Sequence, residues 1–289
     1  MEVLSPDALR TALEMKAEHP EAVPLAGGTD LMVELNFAKR RPDVVIDLTR
    51  ARELCEHDRD NGIIRLGAGV TYTELIARLA VELPGLAIAS RTVGSPQIRN
   101  RGTIGGNLGT SSPAGDTLPV LLACNAEVEL ASVRGTRGMP VDEFITGPKE
   151  NALAEDELIT ATLIPIASGP QQFAKIGPRN AMVIAVASVA VVLDSGNRRV
   201  GTGIGSAGPT PLRSAPAEEL VTGHLSETGL WDTGKMIGDS VVTRFGDLMA
   251  ETAAPIDDVR GSARYRRHAV DVLSRRALTW VWNEYGSSR

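Results

Sequence analysis

Two short glycine-rich segments carry the residue types best suited to chemistry: Ala26-Gly27-Gly28-Thr29-Asp30 and Thr103-Ile104-Gly105-Gly106-Asn107. A glycine pair between a strand and a short helix removes Cβ clashes. Consecutive backbone N–H groups can then converge on one anion, and the helix N-terminus adds its dipole. A pyrophosphate is the natural guest. A tight turn needing positive φ would use the same residues, and the first segment alone does not separate the two readings. The second segment runs on as Leu108-Gly109-Thr110-Ser111-Ser112-Pro113-Ala114-Gly115-Asp116, again mixing glycine with hydroxyl and amide side chains. Two anion-cradling turns far apart in the chain suggest one long, bent, diphosphate-containing ligand. Asp116 suits an acceptor for ribose or ribityl hydroxyls, a helix cap before Thr117, or both.

Other patterns fail on context. Gly203-x-Gly205-x-x-Gly208 fits the dinucleotide fingerprint, but Pro209 and Pro211 stand where the phosphate-binding helix should start. Gly229-x-x-x-x-Gly234-Lys235 is followed by Met236, so the hydroxyl that a Walker A loop gives to Mg²⁺ is missing. His19, His57, His224 and His268 are scattered and form no zinc pattern. With only Cys55 and Cys124, the chain cannot supply the four thiolates of a [2Fe–2S] cluster. So few cysteines also suit a reducing cytoplasm rather than a disulfide framework. No GxSxG elbow or Cys–His pairing is present.

These motifs need elements to hold them. Ser5-Pro6 predicts a helix start, followed by Leu9, Ala12, Leu13 and Lys16 at helical spacing. Residues 23–26 read as a strand into the first glycine turn. Residues 31–35 read as a short helix with Asp30 as its side-chain cap, and 44–48 as a second strand. A strand is expected at 63–68. Thr71-x-x-Glu74 is a capping box before a helix carrying Leu75, Ile76, Leu79 and Leu83. Residues 91–116 read as one long ordered loop, the kind that is usually functional. A helical stretch at 118–123 and strands at 127–132 and 157–164 follow. Residues 167–170 read as a linker. Strands at 183–193 and 199–204 flank a hairpin turn, and a last helix spans about 261–282.

The length of 289 residues allows roughly two domains. A formal net charge of −6 without a long basic run argues against a nucleic-acid backbone as the main partner. The first residues lack a basic head before an apolar stretch, so no signal peptide is expected. No apolar window approaches the roughly 18 residues of a membrane span.

With both glycine motifs in view, the chain resembles the FAD-binding medium subunit of the molybdenum hydroxylases, the xanthine dehydrogenase and carbon monoxide dehydrogenase family. AGGTDLM (26–32) resembles its first pyrophosphate loop, and GSPQIRNRGTIGGNLGTSSPAGDTLPVLLA (94–123) its second. FAKIGPRNAMVIAVASVAVVL (173–193) and DDVRGSARYRRHAVDVLSRRAL (257–278) are similar to the start and the closing helix of its C-terminal domain. The resemblance implies an α+β protein. A two-lobed FAD-binding fold of the vanillyl-alcohol oxidase type would span 1–166, with lobes of about 1–55 and 56–166. A small C-terminal α+β domain with an antiparallel sheet would span 170–289.

It also implies the site. The FAD diphosphate would lie against Gly27, Gly28, Thr29 and Asp30, flanked by Ala26 and Leu31, with Asp30 offering its backbone rather than its side chain. Thr103, Ile104, Gly106, Asn107, Thr110, Ser112 and Asp116 match the second FAD loop. Ile159 matches a position packing near the isoalloxazine ring, and Lys175 a basic position near it. Val93 replaces a ring-stacking aromatic of the mammalian xanthine oxidoreductases. The implied partners are a large molybdenum-binding (molybdopterin) subunit and a small subunit with two [2Fe–2S] clusters, as a dimer of heterotrimers in the cytoplasm. The implied role is electron transfer from those clusters via FAD to NAD⁺, a quinone or dioxygen, with xanthine or another purine as substrate. The competing reading is a self-sufficient flavin reductase or oxidase of the same FAD fold. A third is a structural subunit without flavin.

Overall fold

The structure, a computed structural model, describes residues 1–288. Its contacts divide the chain into two compact units. The first comprises residues 1–75, 95–111 and 126–165, and the second residues 76–94, 112–125 and 166–289.

The first unit holds two larger sheets and a two-stranded hairpin, Ile145–Gly147 with Glu150–Asn151. A parallel sheet is ordered Glu2–Leu4, Val44–Asp47, Val23–Leu25, with the Val-Val-Ile run of the central strand buried. Parallel strands covered on both faces read as such continuous apolar runs. Helix Leu9–Glu18 contributes Ala12 to the core around Ile46, Leu48, Leu54 and Leu158. This helix does not start at Ser5-Pro6. Its N-cap is Ala8, which has no capping side chain, and the Glu53 carboxylate accepts from Leu9 N–H at 3.1 Å instead.

The second sheet is antiparallel, ordered His57–Asp60, Ile63–Gly67, Leu158–Pro165, Glu127–Ser132, Gly135–Pro140. Pairing slips by one residue between Ile159 and Ala161, a bulge in the strand that carries Ile159. The capping box forms as read: Thr71 N–H and Oγ1–H donate to Glu74 Oε2, and Glu74 N–H donates back to Thr71 Oγ1. The expected long loop at 91–116 instead contains two short helices, Pro96–Arg99 and Ile104–Thr110. Ser95 and Thr103 cap them by accepting from Ile98 N–H and Gly106 N–H. Hydroxyl caps and an N1 proline make helices too short to show a periodicity.

The second unit is built on an antiparallel sheet ordered Gln171–Ile176, Ala187–Asp194, Arg199–Gly205, whose central strand is buried throughout. The expected strand at 183–193 thus starts at Ala187, and strand Gln171–Ile176 was not foreseen. Helices Ala215–Glu227, Asp239–Thr252 and Ala263–Ser287 pack apolar side chains with Val189, Val191 and Leu193 of the central strand in its core. Trp231 meets Trp282 and Tyr285 edge-on in that core, with ring centroids 5.9 and 5.8 Å apart. Helix Leu118–Ala123 is buried over its whole length. Arg199 and Arg213 donate to its last carbonyls, Ala123 O at 2.9 Å and Leu122 O at 2.7 Å, where the helix dipole favours cations. Gly203 and Gly205 lie in a strand, and the next helix begins only at Ala215, so no phosphate-binding turn forms there. Among the described residues no helix is long and apolar enough to cross a membrane.

Candidate cofactor site

Both glycine segments line one cleft of about 960 Å³ inside the first unit. That volume lies in the range of sites for large small-molecule ligands. The first segment leaves strand Val23–Leu25, turns at Gly28 (φ +76°) and enters helix Leu31–Asn36. The backbone N–H groups of Gly27, Gly28, Thr29, Asp30 and Leu31 donate to no other described residue. Amides at the start of a helix have no partner inside it and turn to side chains, water or a ligand. A run of unpaired ones along a cleft wall, next to a left-handed glycine, is a nest for an anion.

The second segment differs. Ile104 N–H and Gly105 N–H donate to Val70 O (3.3 Å) and Ala68 O (3.0 Å), and Gly106 N–H to Thr103 Oγ1 (2.9 Å). These amides are already used. What the segment offers is space. A Cβ on Gly106 would press on Thr103 Oγ1 at 3.0 Å, whereas one on Gly109 would make an ordinary contact with Ile159 Cδ1 at 3.6 Å, so the room is at Gly109. The first segment also touches the residues that lead into the second. A Cβ on Gly27 would overlap the Arg101 carbonyl oxygen and lie 2.6 Å from its carbonyl carbon. Gly27 is therefore demanded by the approach of the two loops, a reason the sequence reading did not contain.

Of the expected residues, Ala26 to Leu31, Thr103, Gly106, Asn107, Thr110 and Ile159 all line this cleft. Ile104 is fully buried and is not part of the lining. Asp30 does not cap helix Leu31–Asn36 with its side chain. Its own backbone is helical (φ −103°, ψ −51°), whereas a capping side chain needs an extended one. Withdrawal from water pushes its carboxyl above the ordinary range, Lys149 opposes this, and Glu34 adds to it.

Ser112, Asp116 and Lys175 belong to the second unit. There Lys175 Nζ donates to Asp116 Oδ2 (2.5 Å), Thr92 O (2.9 Å) and Val183 O (3.1 Å). Asp116 does not cap the helix before which it stands, because Oδ2 is taken by Lys175 and Thr92 and Oδ1 is buried without a partner. Burial pushes its carboxyl up, and the Lys175 charge pulls it back part of the way. Ser112 Oγ accepts from Ala114 N–H at 3.3 Å.

The structure adds residues that the sequence reading missed. Glu34, Cys55, Tyr72, Lys149 and Asn151 also line the cleft. Lys149 sits at φ +65° in the turn between strands Ile145–Gly147 and Glu150–Asn151, and its Nζ is 2.7 Å from Glu34 Oε1. A Gly-Pro-Lys turn marks a hairpin, but no local pattern says what the lysine will face.

An amide nest, an open glycine at the facing loop and apolar walls from Leu25, Leu54 and Ile159 fit a dinucleotide with a flat ring system. The comparisons agree. Residues 1–167 match the family described as the FAD binding domain in molybdopterin dehydrogenase. Residues 172–281 match the CO dehydrogenase flavoprotein C-terminal domain. The nicotinate dehydrogenase FAD-subunit of Eubacterium barkeri is 37% identical over 235 residues, 77% of this chain and 79% of that one. The nicotine 6-hydroxylase medium subunit of Paenarthrobacter nicotinovorans is 32% identical over 95% of this chain and 94% of its own. A solved carbon monoxide dehydrogenase of Hydrogenophaga pseudoflava superposes with a TM-score of 0.86 at 27% identity, covering 98% of both chains. The chain belongs to the FAD-binding medium subunits of the molybdenum hydroxylases: it is an oxidoreductase subunit whose cofactor is FAD.

Proposed function

We propose that this chain is the electron relay of a heteromeric molybdenum hydroxylase. Substrate is oxidised at a molybdopterin-bound molybdenum on a large partner, and the electrons pass through two [2Fe–2S] clusters on a small partner. They reach this chain and leave to NAD⁺, a quinone or dioxygen. Bound FAD supplies the one- and two-electron redox chemistry that such a relay needs. The protein's part is to bind and orient it. The free amides of Gly27 to Leu31 carry this reading, because they offer a preformed seat for a diphosphate. Thr103, Asn107 and Thr110 supply polar groups on the facing wall, and the bulge at Ile159 aims an apolar side chain into the cleft.

Two cysteines cannot ligate the clusters, which supports partner chains. Both are free thiols, which supports a cytoplasmic complex. The proposed assembly is a dimer of heterotrimers, and the proposed domains are residues 1–166 for FAD and 170–289 beyond them. Relatives named for nicotinate, nicotine and xanthine favour a nitrogen heterocycle as substrate, xanthine or another purine among the candidates.

The test is purification of the native protein under mild conditions. Its visible spectrum, subunit bands and molybdenum and iron contents are then recorded. Flavin and iron–sulfur absorption with two co-purifying chains and bound molybdenum is the expected result. A lone flavin-containing chain turning over a small substrate would make it a self-sufficient flavoenzyme, and a lone colourless chain would remove the reading.

A further inference from the structure

Lys149 occupies an unusual place on the cleft wall. Its backbone is left-handed (φ +65°) although it has a Cβ, a conformation that persists only where the surroundings over-determine it and that concentrates at functional sites. The surroundings are visible. Lys149 N–H donates to Ser111 O at 3.0 Å, and Asn151 Nδ2 donates to Gly109 O (3.1 Å) and Ser111 Oγ (3.2 Å). The hairpin turn is thus tied to the C-terminal end of the helix that carries the second glycine segment. Its lysine side chain reaches the other wall, where Nζ meets Glu34 Oε1 at 2.7 Å on the helix that follows the first segment.

The charges around this pair favour an exchange. Glu34 lies one helical turn beyond Asp30, and Glu74 and Glu150 also line the cleft. A diphosphate seated on the amides of Gly27 to Leu31 would bring negative charge beside Asp30 and Glu34. Lys39, Arg40 and Arg101 line the cleft as well, and Lys39 and Arg40 act on Glu34, but Lys149 is the cation bonded to Glu34 and the one that acts on Asp30 too. Its ion pair with Glu34 is partly open to solvent, with the lysine side chain 59% and the glutamate side chain 26% exposed. Such a pair is cheap to break. A charge-assisted bond to a phosphate oxygen inside the cleft is stronger.

We propose that Lys149 is a cofactor-positioning residue that leaves Glu34 to pair with the FAD diphosphate, Glu34 holding the ammonium at the cleft wall until then. The proposal rests on the assignment of this cleft to FAD. It separates from a purely structural role by sign. If Glu34 competes with the diphosphate for Lys149, removing Glu34 frees the lysine and tightens FAD binding. If the pair is only a staple between the walls, removing either partner loosens the cleft equally.

The experiment is FAD titration of the reversibly deflavinated complex, read by quenching of flavin fluorescence. Wild type is compared with Lys149→Met, Lys149→Arg, Glu34→Gln and the Lys149→Met/Glu34→Gln double variant. Lys149→Met should raise Kd about tenfold, the loss of one charge-assisted bond, and flatten its dependence on salt. Lys149→Arg should restore most of the affinity. Glu34→Gln should lower Kd by about two- to fivefold, the release of a partly exposed ion pair, and the double variant should match Lys149→Met. Equal weakening by Glu34→Gln and Lys149→Met overturns the exchange and leaves a staple. A wild-type complex that does not take FAD back overturns the cleft assignment itself, and this proposal with it.

Discussion

Gly27 and Arg101 stand in backbone contact: where a Cβ would project from Gly27, the Arg101 carbonyl already lies. The first glycine turn is therefore packed against Arg101 and Gly102, the residues that lead into the second segment. Gly27→Ala must push one loop away from the other. Overpacking against rigid backbone costs about 1–3 kcal/mol. The variant should melt lower and retain little flavin, checked by thermal unfolding and the flavin-to-protein ratio. Gly106→Ala should behave differently, because its Cβ meets only a cap hydroxyl and alanine favours a helix by about 0.5–1 kcal/mol over glycine. It should fold normally and bind FAD more weakly.

Cys55 and Cys124 predict a labelling pattern. Cys55 is exposed and lines the cleft, whereas Cys124 is fully buried and its thiol is pushed up to about 12 by that burial. An aromatic disulfide reagent should modify one thiol per native chain and the second only after unfolding. Bound FAD should slow the first reaction. Unchanged labelling of Cys55 with and without FAD would place the cofactor away from this wall.

Asp116 and Lys175 form a buried pair, with side chains 8% and 10% exposed. Removing one member of such a pair leaves an uncompensated charge and costs about 3–5 kcal/mol. Lys175→Met should therefore lower the urea midpoint strongly, and adding Asp116→Asn should recover more than half of the loss. The sign with pH follows from the raised Asp116 carboxyl. Its contribution to stability is complete below the ordinary value of 3.8 and is lost as pH rises through the higher folded value. Asp116→Asn should thus gain on wild type as the pH is raised from acid.

Glu157 predicts the opposite slope. Arg137 Nε and Nη2 each donate to its carboxylate at 2.7 Å, and Ala154 N–H adds a third bond at 3.0 Å. The Arg137 hydrogen bond holds the carboxyl below the ordinary range. Its stabilisation is present above the ordinary value of 4.5 and disappears as pH falls through the lower folded value. Glu157→Gln should cost about 1.5–3 kcal/mol at neutral pH, as for a hydrogen bond to a charged group. The gap from wild type should close in acid unfolding curves below 4.5.

Features fixed by near neighbours along the chain were legible from the residues alone. The Thr71–Glu74 capping box, the glycine turn at Gly28 and the buried strand through Val44, Val45 and Ile46 all rest on contacts a few residues apart, and each formed as read. The two glycine segments were legible for the same reason. Where a distant partner supplies the contact, the reading failed. Helix Leu9–Glu18 is capped by Glu53 rather than Ser5, and the Asp116 carboxylate goes to Lys175 rather than to a helix end. The helices at 96–99 and 104–110 were hidden by their brevity, since one or two turns show no repeat. Long-range packing alone sets Gly27 against the Arg101 carbonyl and leaves Gly109 with room toward Ile159. It alone joined residues 76–94 and 112–125 to the C-terminal unit, and brought Lys149 to Glu34 across the cleft. Steric overlap and ion pairing act through space, and nothing in the local chain records which remote atoms folding will place within a few ångströms.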